Sequence, residues 1–218
     1  MTTQFQTINI DYSQHPWLAI IMGGYGILTR CISELHDPNF VKSYLISFRF
    51  AQKVLNSLLS RHIPDEDLNA FIMDEAIDCI GKNKAGLLAT IWFTRGKEHV
   101  FLSCGTNTLF MVENGKTTKL IAPHSLSAIL KVKNGLILGQ EADLISTHLL
   151  GTNCKACELN SIIVRKSSNA ALVLIADPRV AKEFHSAKVE ITDIEKHLQT
   201  ITSQITSDNT HCIFYINR

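Results

Sequence analysis

The chain has 218 residues, of which 45% are hydrophobic and 19% are charged. This length predicts one large domain with its own core, and a charged fraction below the typical value of about 25% argues against disorder. Lysine plus arginine (21) nearly balances aspartate plus glutamate (20), which leaves a net charge of +1. That balance gives no electrostatic reason to bind nucleic acid or an anionic membrane.

Targeting signals and cysteine usage both bear on the compartment. The sequence contains no apolar run of the roughly 18 residues that a membrane span needs, and residues 1–10 lack the basic start and apolar core of a signal peptide. Six cysteines spread along a long chain favour thiols in a reducing compartment over a disulfide framework. We therefore expect a cytoplasmic protein.

The first part of the chain predicts two strands followed by helices. Weak alternation indicates a strand at 5–10, and a short apolar run indicates another at 17–22. The glycine cluster at 23–26 favours a tight strand-to-helix turn, and residues 27–60 are predicted to be helical, with Pro38 dividing them and a main helix from about Val41. Apolar residues three and four positions apart predict the buried face of this helix: Val41, Leu45, Phe48, Ala51, Leu55 and Leu58.

The rest of the chain is predicted to be mainly strands. A second helix at 68–80 follows acidic residues at 65–67, and short apolar runs then predict a meander of strands at 87–94, 99–104, 109–112 and 117–121. Asn114-Gly115 is a strong hairpin signal, because both central positions of a type I′ turn need positive φ. Strands at 161–165, 170–175 and 211–216 and a helix at 192–205 complete the prediction, with residues 123–152 covering a face of the sheet. This order predicts an α+β protein with helices outside two layered sheets.

Short motifs at the junctions between these elements carry a family resemblance. They are N-I-D at 9–11, A-I-I-M-G-G at 19–24, C-G-T-N-T at 104–108, N-G-K at 114–116, H-S at 124–125, T-H-L-L-G at 147–151, L-I-A-D-P at 174–178 and D-N-T at 208–210. In order and spacing they resemble N-E-D, A-D-G-M-G-G, V-G-D-S-R, D-G-K, D-H-S, T-R-A-L-G, L-C-S-D-G and D-N-I-T-V of the metal-dependent protein phosphatase 2C family. The resemblance implies a phosphatase 2C-like α/β/β/α layered β-sandwich flanked by helices, formed by residues 1–218 as a single domain.

The resemblance also implies a chemistry, which is hydrolysis of phosphoserine or phosphothreonine by a water held between two Mg²⁺ or Mn²⁺ ions. Hard divalent cations prefer oxygen ligands, and an anion shared by both ions offsets their repulsion. The matching catalytic and metal-binding positions here are Asp11, Asp177 and Asp208. Ile20 replaces the bridging aspartate, and Ile21, at the next ligand position, can offer its backbone carbonyl.

Other positions also depart from the family pattern. Gln6 stands where the resemblance implies a phosphate-binding arginine, Thr106 replaces the aspartate of G-D-S-R, and Pro178 replaces the glycine of S-D-G. We therefore predict a pseudophosphatase that binds a protein or phosphoprotein partner, with no metal or a single Mn²⁺ or Mg²⁺ ion. The alternative is an active phosphoserine/phosphothreonine phosphatase in which Asp177 and Asp208 hold one ion and Asp11 positions water.

Several of these signals have other interpretations. Asp177 before a proline and Asp208 before an asparagine are also typical of turns, and Asp11 is also typical of an exposed loop. The glycine cluster at 23–26 could cradle a phosphate if a helix followed it. Cys154 and Cys157 have the spacing of half a zinc site, with His148 nearby in sequence, which leaves a small zinc-dependent or redox module as a third interpretation.

Overall fold

The computed structural model describes the backbone of residues 4–11, 17–33, 40–83, 85–125, 146–151, 159–205 and 209–216, and the side chains of these ranges except 4–11, 33, 40 and 209–216. The strands in these ranges are β1 Gln4–Asp11, β2 Leu18–Met22, β3 Tyr25–Ser33, β4 Ala85–Arg95, β5 Glu98–Cys104, β6 Thr108–Glu113, β7 Lys116–Ile121, β8 Asn160–Arg165, β9 Ala170–Ile175 and β10 Asn209–Ile216. The helices are α1 Phe40–Ser60, α2 Asp65–Ile80, α3 Pro178–Ser186 and α4 Ile194–Gln204. None of the described helices is long and apolar enough to cross a membrane.

These strands form two antiparallel sheets with helices on both outer faces. The first sheet has the order β1-β10-β9-β6-β7, and the second has the order β2-β3-β4-β5-β8. Helices α1 and α2 pack on the outer face of the second sheet, and α3 and α4 pack on the outer face of the first. This α/β/β/α arrangement confirms the predicted α+β fold class.

Apolar side chains fill three layers between these elements. Residues in a strand alternate between its two faces, so a strand with cover on both sides is apolar at successive positions. In β4, Gly86 through Phe93 are all buried: Ile91 packs toward the helices, and Trp92 packs toward the first sheet. The layer between the sheets, which includes Trp92, Phe101 and Leu174, positions the strand ends that carry the predicted site.

Residues 25–33 form β3, so the predicted helical start at 27 is wrong. Gly23 and Gly24 make the turn between β2 and β3, and Gly23 has a φ of 60°. Strand β3 lies between β2 and β4, with Ile27 facing the helices and Leu28 facing the first sheet. An apolar run that is buried on both faces shows no alternation and cannot be distinguished by periodicity from a buried helix.

Helix α1 begins close to the predicted position but buries a different face. Ala51 and Leu55 are buried as predicted, whereas Val41, Leu45 and Phe48 are exposed. The buried face contains Ile46, Phe50 and Val54 in their place. This helix has two apolar faces, and periodicity alone does not tell which of them contacts the sheet.

Most of the remaining predicted elements are confirmed. The Asn114-Gly115 turn joins β6 to β7 with φ values of 51° and 70°, as a type I′ turn requires. Leu68, Ile72, Ala76 and Ile80 line the buried side of α2. Helix α3 was not predicted, and residues 126–145 of the predicted covering segment lie outside the described residues.

Candidate functional site

The predicted aspartates lie at one end of the first sheet. Strand β10 pairs Cys212 with Ile8 of β1 on one side and with Ile175 of β9 on the other. Strands β1 and β9 therefore run in the same direction, and the backbones of Asp11, the last residue of β1, and Asp177, just beyond β9, lie at the same edge. Asp208 and the side chain of Asp11 lie outside the described residues.

Asp177 is buried, and both of its carboxylate oxygens accept hydrogen bonds from Arg179. The side chain is 3% exposed. Its Oδ1 accepts from the backbone N–H of Arg179 at 2.8 Å and from Nε at 3.2 Å, and its Oδ2 accepts from Nη2 at 2.9 Å. The first of these bonds satisfies one of the amide groups that the start of a helix leaves without a partner, so Asp177 is the N-cap of α3.

Pro178 belongs to this cap. Proline is favoured at the first position of a helix because its φ already suits the helix and the missing N–H would have no partner there. The sequence Asp-Pro-Arg at 177–179 is thus a helix start signal. This signal could have predicted α3, and it gives Pro178 a structural role at the position where the resemblance implies a glycine.

The described residues do not fit a two-metal centre. A hard divalent cation needs several oxygen ligands. Both carboxylate oxygens of Asp177 already accept hydrogen bonds from the guanidinium of Arg179, and the positive charge of that group disfavours a second cation beside it. Among the described side chains, no group of three or more histidine, cysteine, aspartate and glutamate residues is arranged to hold a metal ion. Asp177, the predicted acidic ligand whose side chain is described, takes part in a structural ion pair with Arg179.

Ile20 and Ile21 point to opposite faces of β2. Ile20 packs against the core under α1 and α2, whereas Ile21 packs in the layer between the sheets. The side chain at position 20 therefore faces away from the first sheet, which carries Asp177. Neither isoleucine offers a side-chain oxygen, so the described part of β2 provides no bridging anion.

The glycine cluster at 23–26 does not precede a helix. It joins two strands, so the argument for a phosphate at a helix N-terminus does not apply here. Gly26 instead makes room for a neighbouring ring: a Cβ added at this position would lie 2.1 Å from the Trp92 side chain. The cluster is thus explained by a tight hairpin and by close packing between β3 and β4.

A buried polar group that sequence reasoning missed lies near the predicted V-G-D-S-R position. Asn107 donates from Nδ2 to the Thr90 hydroxyl at 2.8 Å, and that hydroxyl is 2.8 Å from the Ser103 hydroxyl. Thr106, which replaces the family aspartate, is also buried. Polar residues inside otherwise apolar strands are the sequence signal that could have indicated this group, because such side chains must form hydrogen bonds within the core.

The rings of two histidines, His124 and His148, lie side by side close to Gly105. The rings of His124 and His148 have centroids 4.5 Å apart, and the backbone N–H of Gly105 donates to His124 Nδ1 at 3.2 Å. Burial lowers the pKa of His124, and His148 lowers it further, whereas a hydrogen bond with Asn160 acts in the opposite direction. His148 is close in sequence to Cys154 and Cys157, both of which lie outside the described residues. In the described part of the structure, the ring beside His148 is that of His124.

The backbone of Gln6 lies opposite Phe214 in the β1–β10 pair.

A cavity of about 380 Å³ lies elsewhere, at the C-terminal end of α1, where Tyr25, Leu58 and Phe93 are among its lining residues. It contains none of the predicted site residues. The candidate site is therefore the edge of the first sheet where β1 and β9 end.

The layered sandwich and the aspartates at one sheet end define a class: the chain has the fold of the metal-dependent, phosphatase 2C-like proteins. No protein-family model and no curated protein sequence matches the chain. Solved structures of PPM-type serine/threonine phosphatases match nearly all of it.

Three of these structures illustrate the similarity. The catalytic domain of the phosphatase PstP in complex with two manganese ions is 13% identical, with a TM-score of 0.70 over 98% of this chain and 96% of that one. PstP/Ppp from Mycobacterium tuberculosis is 12% identical, with a TM-score of 0.65 over 99% and 98%. Stp1 from Staphylococcus aureus is 14% identical, with a TM-score of 0.65 over 99% and 94%. At these identities the similarity establishes the fold.

Proposed function

We propose that this protein is a cytoplasmic pseudophosphatase, a catalytically impaired phosphatase 2C-like protein that acts by binding a protein or phosphoprotein partner. The observation that carries the proposal is the state of Asp177, whose two carboxylate oxygens are both bonded to Arg179. A buried carboxylate that caps a helix and pairs with a guanidinium is not available as a metal ligand without breaking both interactions.

The second sheet supports the same proposal. A pair of divalent ions needs an anion between them, because two cations at close range repel each other strongly in a partly buried site. Ile20 faces the helices and Ile21 has no side-chain oxygen. Among the described side chains, the family chemistry therefore has no bridging anion, and both carboxylate oxygens of Asp177 are bonded to Arg179.

The alternative function is an active Mn²⁺- or Mg²⁺-dependent serine/threonine phosphatase with a reduced metal site. The shared edge of the first sheet favours it, because the pairing register brings the backbones of Asp11 and Asp177 to one end. Under this alternative Asp177 leaves Arg179 and holds one ion together with Asp208, and Asp11 positions water.

Manganese binding and turnover distinguish the two functions. We expect the full chain to give no calorimetric signal with Mn²⁺ and no Mn²⁺-dependent hydrolysis of p-nitrophenyl phosphate or a phosphoserine peptide. The opposite result, turnover that is lost in Asp177→Ala but kept in Asp74→Ala, would establish the active enzyme. Asp74 is a suitable control because it is an exposed acid on α2, outside the candidate site.

A further inference from the structure

Helix α1 carries a line of exposed apolar side chains along most of its length. Val41, Leu45, Phe48 and Leu59 are 51%, 45%, 41% and 45% exposed. At 100° per residue these four positions fall on one side of the helix together with Gln52, and we refer to the five residues as the α1 stripe. Their spacing of three, four and seven residues is that of a helix face in contact with another helix.

The buried side of α1 also contains two serines beside its apolar core residues. Ser43 and Ser47 are 5% and 1% exposed, so small polar residues are buried while larger apolar ones remain in contact with water. The hydroxyl of Ser47 has no hydrogen-bond partner among the described residues. Burial of apolar area is the main stabilising contribution to folding, so the exposed apolar residues of α1 would add to it only when a second molecule covers them.

Charges beside the α1 stripe indicate what that molecule is. Helix α1 contains the basic residues Lys42, Arg49 and Lys53 and no acidic residue. Lys53 pairs with Glu75 and Asp78 of α2, whereas Lys42 and Arg49 form no ion pair within the described chain. All three project from the same side of the stripe, so they form a basic border along it.

We propose that the α1 stripe binds an amphipathic helix of a partner protein whose apolar face is bordered by acidic residues. The partner's apolar residues would cover Val41, Leu45 and Phe48, and its carboxylates would meet Lys42 and Arg49. At the end of the stripe, Leu59 lines the cavity of about 380 Å³, which gives a bulky apolar residue of the partner helix a place to insert.

The same charges disfavour two other occupants. A second copy of this chain whose α1 packs antiparallel about a two-fold axis would bring the basic border of each α1 against that of the other, and like charges at an interface repel. An anionic membrane would also meet α2, which lies beside α1 and exposes acidic residues such as Asp74 and Asp78. A single helix, about 10 Å wide, can contact α1 alone.

This inference goes beyond the proposed function, because it concerns the helical side of the second sheet and not the aspartates of the first. Manganese-dependent turnover would contradict the pseudophosphatase proposal without affecting the α1 stripe. Loss of the binding described next would contradict the α1 proposal without restoring phosphatase activity.

The test uses the full chain and two monomeric, hydrocarbon-stapled helical peptides that share one leucine-rich face. One peptide has glutamates beside that face and the other has lysines. By fluorescence anisotropy we expect the glutamate peptide to bind more tightly, and Phe48→Ser to weaken it at least about tenfold, the effect typical of a central interface residue. The matched control is Ile163→Ser, which removes an exposed apolar residue of β8, away from the stripe.

Charge reversal keeps the test independent of folding. In Arg49→Glu we expect the preference to shift toward the lysine peptide, and a misfolded variant would not gain binding in this way. Three results would overturn the proposal: equal binding of both peptides, binding that Phe48→Ser leaves unchanged, or loss in Phe48→Ser of a dimer or of binding to phosphatidylserine vesicles in place of peptide binding.

Discussion

Asp177 lies just beyond the end of β9, where both oxygens of its carboxylate accept hydrogen bonds from Arg179. The pattern L-I-A-D-P placed a carboxylate at the end of a strand, and the structure has it there. Whether such a carboxylate binds a metal or caps a helix depends on what lies within about 3 Å of it. In this chain that neighbour is Arg179, two residues along, which no family motif contained.

Substitution of Asp177 tests its structural role directly. We expect Asp177→Ala to lower the free energy of unfolding by about 2 kcal/mol, because it removes a helix cap and the hydrogen bonds between a buried carboxylate and the partly exposed guanidinium of Arg179. Asp177→Asn, which keeps a capping oxygen, should cost about 1 kcal/mol. Urea denaturation in EDTA measures both values.

The absence of metal makes this measurement decisive. A carboxylate kept for metal binding has no favourable partner in EDTA, so its removal would leave stability unchanged or raise it. Asp193→Ala is the matched control, because Asp193 also precedes a helix but makes no side-chain capping bond. An equal effect of Asp177→Ala and Asp193→Ala would contradict the capping role.

At the scale of elements, predictions succeeded where one face of a strand or turn differs clearly from the other. The β6–β7 hairpin was predicted because Asn114 and Gly115 suit positive φ, a property of those two residues alone. Strand β3 was missed because α1 and the first sheet cover its two faces, so its apolar run has no period. The exposed face of α1 was missed for a related reason, since its position depends on which of two apolar faces the sheet contacts.

Gly26 gives the hairpin assignment a specific test. We expect Gly26→Ala to lower the free energy of unfolding by about 2 kcal/mol, because the added methyl group would overlap the buried Trp92 ring and force it to move. Thermal and urea denaturation followed by tryptophan fluorescence report both the stability and the ring environment.

The double variant Gly26→Ala/Trp92→Leu controls for general effects of alanine in a strand. Leucine at position 92 is smaller than tryptophan and should leave room for the methyl group. The cost of Gly26→Ala should therefore fall when Trp92 is already replaced. Additive costs in the two backgrounds would mean that the glycine is not required by this contact.

For the whole molecule, the order of elements predicted the four layers, because helices with one apolar side and sheets with two must cover each other. The site was less predictable. The register of β1, β10 and β9 brings Asp11 and Asp177 to one edge, but the pairing joins residues far apart in the chain. The hydrogen bonds between Asn107, Thr90 and Ser103 likewise depend on which inward positions meet across neighbouring strands.

The buried side chain of His99 should make the stability of the whole fold depend on pH. Burial lowers its pKa to about 4, with a smaller contribution from the positive charge of Lys166. Because the folded pKa lies below the unfolded value of about 6.5, the unfolded chain binds the proton first, so stability present above pH 6.5 is lost as the pH falls toward 4. The loss from this residue should be about 3 kcal/mol.

Urea denaturation between pH 7 and pH 4 measures this dependence. The slope should be smaller in His99→Asn, which keeps a polar group near the Thr94 hydroxyl that lies 3.0 Å from Nδ1. Lys166→Gln should reduce the slope only in part, because burial is the larger cause. A slope that His99→Asn leaves unchanged would assign the acid sensitivity to other groups.

The pairing of β1 with β10 also sets an order of assembly during synthesis. Gln4 lies opposite Ile216, and β1 stands at the edge of its sheet with β10 as its neighbour there. The ribosome makes β1 first and β10 last, so β1 waits without its partner while more than 190 intervening residues emerge at about 5–20 residues per second. The candidate site edge is thus among the last parts of the molecule to form, because Asp11 at the end of β1 lies opposite Asn209 of β10.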